Sequence, residues 1–355
     1  MEKITTIAID LAKHVFEVAG EGRQGKVLQT ERMKSREAFY AYIQRLQPPL
    51  LVGLEVGLGA QAWARVLQER GLEVRLLPAQ LVATHRSGGK NDRNDARAIL
   101  RALRDEKIHP VPVKTVAQLS MQALHRARAG WVRRKTALSN QMRGLLLEHA
   151  VVFGRGDKRL MELVPRVLED ASIPVPDLLR GLLEVLWVDW QGQVQRLEAI
   201  ERQFATLTRQ DPLARRLETI PGIGPITATA LACKGIDVSK FRNSRQFAAY
   251  FGIVPDQHST GEKVRLGRMT KRGDRYIRSL TVNGAHAVIR CIRKDDQRPE
   301  ARRLRRWRDR HGNKGAAVRL ANHNLRIVWA LLRTQADYRR AGPRPSSPGQ
   351  PNQAN

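Results

Sequence analysis

Four carboxylates, Asp10, Glu55, Asp92 and Asp95, stand in the first third of a chain with 63 Lys plus Arg against 34 Asp plus Glu. The formal net charge is +29. So basic a balance suits a polyanionic partner, nucleic acid before an anionic membrane. Acids in such a field work against its electrostatics unless they bind a divalent cation, which lets carboxylates approach a phosphate backbone. Hard oxygen ligands suit Mg²⁺, with Mn²⁺ as the alternative. A cation held in this way aligns a phosphodiester for in-line displacement and neutralises its charge. Each acid also has a purely structural reading. Asp10 could cap a turn, Glu55 could be an ordinary strand-end acid, and Asp92 or Asp95 could cap a helix or favour its dipole. Their joint placement favours the ligand reading.

The elements that must position them can be read from pattern. Residues 4–10 form a β-branched run, and 14–20 and 26–31 follow as short strands, a three-strand meander. Helical spacing covers 36–47 and stops at Pro48-Pro49. A strand over 50–56, a helix over 59–70, a strand over 73–78 and a helix opening at 91–103 complete the order β-β-β-α-β-α-β-α. That order reads as an RNase H-like unit. Asp10 closes the first strand, Glu55 lies near the end of the fourth, and Asp92 and Asp95 share one side of a helix start.

From 116 to 148 the apolar pattern is helical. Leu124, Trp131, Leu138 and Leu145 recur every seven residues, with Met121 and Met142 three residues ahead of Leu124 and Leu145. Arg128 and Lys135 interrupt the other seam positions. A second stretch carries Trp187, Trp190, Val194, Leu197 and Phe204, and Pro174 and Pro176 mark the connection. The expectation is an antiparallel helical pair, open to completion by another subunit.

In the last third, LETIPGIGPITATALA (217–232) reads as helix, Pro-Gly turn and helix, similar to a helix-hairpin-helix element. Gly222 and Gly224 would let backbone amides approach phosphate, although a plain tight turn between core helices fits as well. Ser259-Thr260-Gly261 then sits in a glycine-punctuated loop followed by Lys263, Arg265, Arg268, Lys271 and Arg272. Serine needs an activating environment to act as a nucleophile, and dense positive charge would favour a developing alkoxide. The bland alternative is a turn residue. Residues 263–340 hold 23 Lys plus Arg against 6 Asp plus Glu, a net charge of +17. ARRLRRWRDR (301–310), with Arg302, Arg303, Arg305 and Arg306, is too one-sided for a balanced solvated helix face, so contact with a nucleic-acid backbone is expected.

With 355 residues, two or three domains are expected. The first twenty residues read as neither a signal peptide nor a membrane span. Cys233 and Cys291 give no disulfide framework and no zinc spacing, which fits a reducing cytoplasm. The tail after Tyr338 is rich in Pro, Ser, Gly and Gln and is expected to be disordered.

Together these residues resemble the DEDD transposases of the insertion-sequence one-ten type, a group that includes Piv-like DNA invertases and recombinases guided by a bridge RNA. The likeness covers residues 3–335. It rests on IAIDLAKHVFEV, GLEVGLGAQAWARVLQERGLEVRLLPAQ and KNDRNDARAI, then on IPGIGPITATALA and FRNSRQFAAYFGIVPDQHSTGEKVRLGRMTKRGDRYIRSL. The resemblance places the four acids on Asp10, Glu55, Asp92 and Asp95 and the serine on Ser259. Many relatives have Ser-Ser-Gly where this chain has Ser259-Thr260-Gly261, so Thr260 is the other position to weigh. Glu262 stands where a glycine is usual, and Val56 where cysteine or alanine is common.

The resemblance implies an α/β RuvC-like catalytic domain (1–112), an α-helical coiled-coil arm (113–210) and a mostly α C-terminal transposase domain (211–340), with a tail at 341–355. It implies a homo-oligomer, dimer to tetramer, with the Mg²⁺ site and the serine assembled across subunits. It further implies double-stranded donor and target DNA and a noncoding guide RNA as partners, and strand exchange through a covalent phosphoserine. The alternatives are a RuvC-like nuclease or resolvase with no covalent intermediate, and an architectural nucleic-acid binder with idle acids.

Overall fold

The computed structural model describes residues 3–87, 92–152, 154, 156–258 and 265–338; of Asp92 and Arg93 it describes the backbone alone. The chain divides into two compact units, Met1–Thr115 and Val116–Asn355.

The first unit is built on a five-stranded mixed sheet. Its strands are β1 (Thr6–Leu11), β2 (Phe16–Glu21), β3 (Val27–Met33), β4 (Leu51–Glu55) and β5 (Glu73–Leu77). The order across the sheet is β3-β2-β1-β4-β5. The first three strands form an antiparallel meander, and β4 and β5 add parallel to β1. Parallel neighbours need crossovers. These are α1 (Arg36–Arg45), opened by Ser35 accepting from Ala38 N at 3.1 Å, and α2 (Ala60–Glu69). After β5 come a short helix that the pattern did not suggest, α3 (Ala79–Thr84), and α4 (Asp92–Arg104).

Side-chain alternation divides the sheet into two faces. Ile7, Ile9, Phe16, Val18, Val52 and Leu54 pack with Phe39, Ile43, Ala64 and Leu67 from α1 and α2. The opposite face is lined by small residues. Ala8 and Ala19 pack with Ala96, Ile99 and Leu100 of α4. A Cβ on Gly53 would come within 2.5 Å of Leu103 Cδ1, so α4 lies very close to β4.

In the second unit, α5 (Val116–Leu147) and α7 (Asp177–Gln210) run antiparallel. His125 stacks on Phe204, Arg128 pairs with Glu201 at 2.6 Å, and Trp190 Nε1 donates to Ser139 Oγ at 2.8 Å. On α7 the buried stripe is Leu183, Leu186, Trp190, Gln193, Leu197, Ile200 and Phe204, alternating steps of three and four. The stripe on α5 corrects the sequence reading. His125, Ser139, Met142 and Leu146 are buried, whereas Leu124, Trp131, Leu138 and Leu145 are half-buried on its flank. The seam is one residue displaced because polar His125 and Ser139 find partners inside it. A third helix, α6 (Asp157–Glu169), joins the pair through Leu160, Val164 and Val167, and Lys135 reaches Asp157 at 2.5 Å.

The rest of this unit comprises α8 (Pro212–Glu218), α9 (Pro225–Ala232), α10 (Ser244–Tyr250), a hairpin of β6 (Pro255–Gln257) and β7 (Leu266–Met269), α11 (Arg275–Arg290), and α12 (Pro299–Thr334), which is kinked at Gly312. Phe247, Phe251, Ile277, Ala285, Leu320 and Leu325 lie in its shared core.

His125 links α5, α7, α9 and α11. It is 4% exposed, with Nδ1 3.1 Å from the Tyr276 hydroxyl and Nε2 3.2 Å from Thr229 Oγ1. Thr229 spends its own proton on Pro225 O at 2.7 Å, so Nε2 donates to the threonine and Nδ1 accepts from the tyrosine. The ring is therefore neutral. Burial, with Arg128 and Lys234 nearby, lowers its pKa from 6.5 to about 4. Between those values the unfolded chain takes up the proton first, so His125 contributes its full stability above pH 6.5 and loses it as pH falls towards 4. The expected loss is on the order of 2 kcal/mol. Urea unfolding at pH 7 and pH 4.5 should show it, and His125→Gln should flatten the dependence.

Candidate functional site

The strand register decides where the acids point. Asp10 is the fifth residue of β1, and Glu55 is the last of its parallel neighbour β4, one step beyond the pair Ile9–Leu54. Ala8 packs on the α4 side, and Asp10 follows it by two residues. Gly53 faces Leu103 of α4, and Glu55 follows it by two. Both acids therefore project to the face that α4 covers.

The direction of α4 brings in the third acid. Leu103 opposes Gly53, and Arg104 pairs with Glu21, whose partner on β1 is Thr6. The helix thus runs antiparallel to β1 and β4, and its first turn comes over their C-terminal ends. Asp95 lies in that turn and is buried. Asp92 opens the helix; its side chain lies outside the described residues. The helix N-terminus itself favours negative charge there.

Arg86 was not singled out by the sequence. Its Nε lies 2.5 Å from Asp95 Oδ1. That oxygen is buried and accepts no hydrogen bond, so charge rather than a directed bond holds the pair. Arg101 donates to His85 O at 3.2 Å and fixes the segment carrying Arg86 against α4. Nothing in the sequence distinguishes Arg86 from the other arginines; only the α3–α4 connection brings it to Asp95.

The donor set fits a divalent cation: carboxylates only, at adjacent strand ends, with a buried carboxylate oxygen that accepts no hydrogen bond. Among the described residues no group of three or more His, Cys, Asp or Glu is preassembled at metal-holding distances.

In the second unit, His258 N donates to Arg265 O at 2.8 Å at the end of the β6–β7 hairpin. Ser259, Thr260 and Lys263 lie outside the described residues. Arg265, Arg268, Lys271 and Arg272 are exposed beside them in sequence. The other basic candidates divide. Arg302 donates to Gln297 O at 2.8 Å, and Arg305 donates to Arg293 O and Lys294 O at 2.9 and 2.8 Å. Arg303 lies 3.2 Å from His323 Nε2 and over the Trp307 ring, and Arg306 is exposed. Three of these four arginines therefore also tie the fold together. Gly222 has φ +89° and meets Gly284 of α11: a Cβ on it would be 3.1 Å from Gly284 O. The close approach it permits here is to a helix backbone. Gly224 is exposed at the N-cap of α9. No helix among the described residues is long and apolar enough to cross a membrane.

Comparison with known proteins gives the family. Residues 7–151 match a DEDD transposase family model described as "Transposase", and residues 214–304 match the model of the "Transposase IS116/IS110/IS902 family". A "Probable family 20 transposase" of Pseudomonas aeruginosa is 41% identical over 341 residues, covering 95% of this chain and 99% of the relative. The transposase for insertion sequence element IS1328 of Yersinia enterocolitica is 36% identical, covering 93% and 97%. That for IS1111A of Coxiella burnetii is 33% identical, covering 96% and 92%. The chain belongs to the IS110/IS116 family of insertion-sequence transposases.

Proposed function

We propose that this transposase cuts and rejoins DNA through a RuvC-like carboxylate cluster of Asp10, Glu55, Asp92 and Asp95, with Ser259 as nucleophile. The observation that carries the reading is the convergence of three acids, by register and helix direction, on one end of one sheet face. The strand order β3-β2-β1-β4-β5 supports an RNase H-like catalytic domain over 1–112. The antiparallel α5–α7 pair supports a coiled-coil arm over 113–210, and residues 211–340 supply the serine and much of the positive charge.

The four carboxylates would hold Mg²⁺ or Mn²⁺, which supplies charge neutralisation at the attacked phosphate. Ser259 Oγ loses its proton and forms a bond to phosphorus; the bond to one strand end breaks, and that end leaves as a hydroxyl. A hydroxyl from the exchanged strand then attacks the phosphoserine, rejoins DNA and returns the serine. Lys263, Arg265, Arg268, Lys271 and Arg272 hold phosphate beside the serine. Arg302, Arg303, Arg305 and Arg306, with the turn at Gly222 and Gly224, grip the backbone of donor and target DNA and of a guide RNA. A dimer to tetramer brings acids and serine together across subunits.

The test incubates the protein with element-end DNA, flanking RNA and Mg²⁺ and looks for a covalent adduct on a denaturing gel. An adduct that disappears in Ser259→Ala supports the reading. Cleavage without an adduct would favour the nuclease alternative, in which water replaces the serine.

A further inference from the structure

The chain supplies a positive charge of its own to the acid cluster. Arg86 Nε lies 2.5 Å from Asp95 Oδ1, the two side chains being 26% and 12% exposed. Both atoms are buried, and neither makes a directed hydrogen bond. The segment that carries Arg86 is held to α4 on either side of it. His85 pairs with Asp105 at 3.3 Å, and Arg101 donates to His85 O at 3.2 Å and to Ser87 Oγ. The surrounding chain therefore places Arg86 against Asp95.

Two features make this contact exchangeable. A hard divalent cation needs its carboxylate oxygen at about 2.0–2.6 Å. Arg86 Nε already stands that close to Asp95 Oδ1, and two positive centres on one buried oxygen repel each other. The guanidinium also gives up no directed hydrogen bond to Asp95 when it leaves. Its Nε–H gains a charge-assisted one on meeting a phosphate oxygen. Withdrawal of Arg86 alone would leave Asp95 an uncompensated buried charge, so the exchange needs both incoming partners: a phosphate for Arg86 and a cation for Asp95. Among the described residues the acids are not gathered at metal-holding distances, which fits an Asp95 engaged by Arg86.

We infer that Arg86 is an internal counter-ion that competes with the divalent cation for Asp95. It leaves when a DNA phosphate takes up its guanidinium, so DNA and the cation strengthen each other's binding. The inference rests on the proposed cation role of the acid cluster and adds a control on when that site fills.

The experiment uses the full chain, an element-end DNA duplex, and Mn²⁺ as the probe, titrated by electron paramagnetic resonance with Mn²⁺ held by DNA alone subtracted. In wild type, DNA should tighten Mn²⁺ binding about fivefold or more, and Mn²⁺ should tighten DNA binding by the same factor. Without DNA, Arg86→Gln should bind Mn²⁺ about fivefold or more tighter than wild type, and DNA should then add less than about twofold. Its metal-free melting temperature should fall, because Asp95 loses its counter-charge. Arg86→Lys keeps that charge and should restore the melting temperature. Unchanged Mn²⁺ affinity in Arg86→Gln overturns the inference, and weaker affinity overturns it in favour of an arginine that orients Asp95 for the cation. Wild type whose Mn²⁺ affinity does not respond to DNA overturns it whatever the variants do. Wild type that binds no Mn²⁺ with or without DNA, or Asp10→Asn that binds it normally, overturns the cluster reading and this inference together.

Discussion

Asp10→Asn and Asp95→Asn are expected to lower DNA strand cleavage on the order of 10³-fold while leaving DNA affinity within a factor of two. The two readouts separate because chemistry and grip are assigned to different residues. In the proposed reading, phosphate is held by the basic side chains of the second unit, where residues 263–340 carry a net charge of +17. The acids only repel a phosphate backbone until a cation offsets them. Removing one negative charge should therefore weaken the chemistry and not the binding. Asp95→Asn is the sharper of the two. Its amide is isosteric, and its oxygen can still face Arg86, 2.5 Å from Asp95 Oδ1 in the present arrangement. A gel cleavage assay beside an equilibrium binding titration reads both quantities. Cleavage retained within tenfold in both variants would sink the catalytic role of the acids and favour an architectural binder.

The path from sequence to this site was partly legible, for physical reasons. Strand runs such as TIAIDL and LVGLE announce themselves by β-branched and aliphatic residues, and Asp10 and Glu55 at their ends were readable from position alone. That the two share a face needed the strand order and register, which a single sequence does not display. Burial along β2 is equally hidden from the sequence: every residue of the strand is buried, so no alternation separates its two faces. The α5 seam was misread by one residue for a related reason. Apolar spacing picks Leu124, Trp131, Leu138 and Leu145, but the buried positions include His125 and Ser139, whose polar atoms are satisfied by Tyr276, Thr229 and Trp190. Charge density flagged Arg303 and Arg305 without revealing that both also make internal contacts. Gly222 was read for its freedom to approach phosphate; the same freedom serves its contact with α11.

Gly252→Ala is expected to destabilise the second unit by about 3 kcal/mol or more, through a crossing of two backbones. Gly252 has φ +71°, where a Cβ alone costs about 1 kcal/mol. That Cβ would also sit 1.8 Å from Arg272 O and 2.7 Å from Arg272 N. Gly273 repeats the arrangement from the other side, with φ +86° and a Cβ position 2.0 Å from Tyr250 O. Neither segment can retreat cheaply. Phe251 and Ile253 are buried on either side of Gly252, and Asn322 of α12 donates to Ile253 O at 2.6 Å. Thr270 N donates to Val254 O at 2.9 Å and Lys271 N to Gly252 O at 3.2 Å, so the crossing continues into the β6–β7 hairpin. Gly224→Ala is the matched control: its φ is −89° and a Cβ there meets nothing within 4 Å. Urea denaturation followed by circular dichroism should show a large loss for Gly252→Ala and almost none for Gly224→Ala. Equal midpoints would mean that the crossing yields without cost. Because the hairpin that leads to Ser259 is built on this crossing, Gly252→Ala should lose stability and the covalent adduct together, whereas the acid variants lose cleavage with the fold intact.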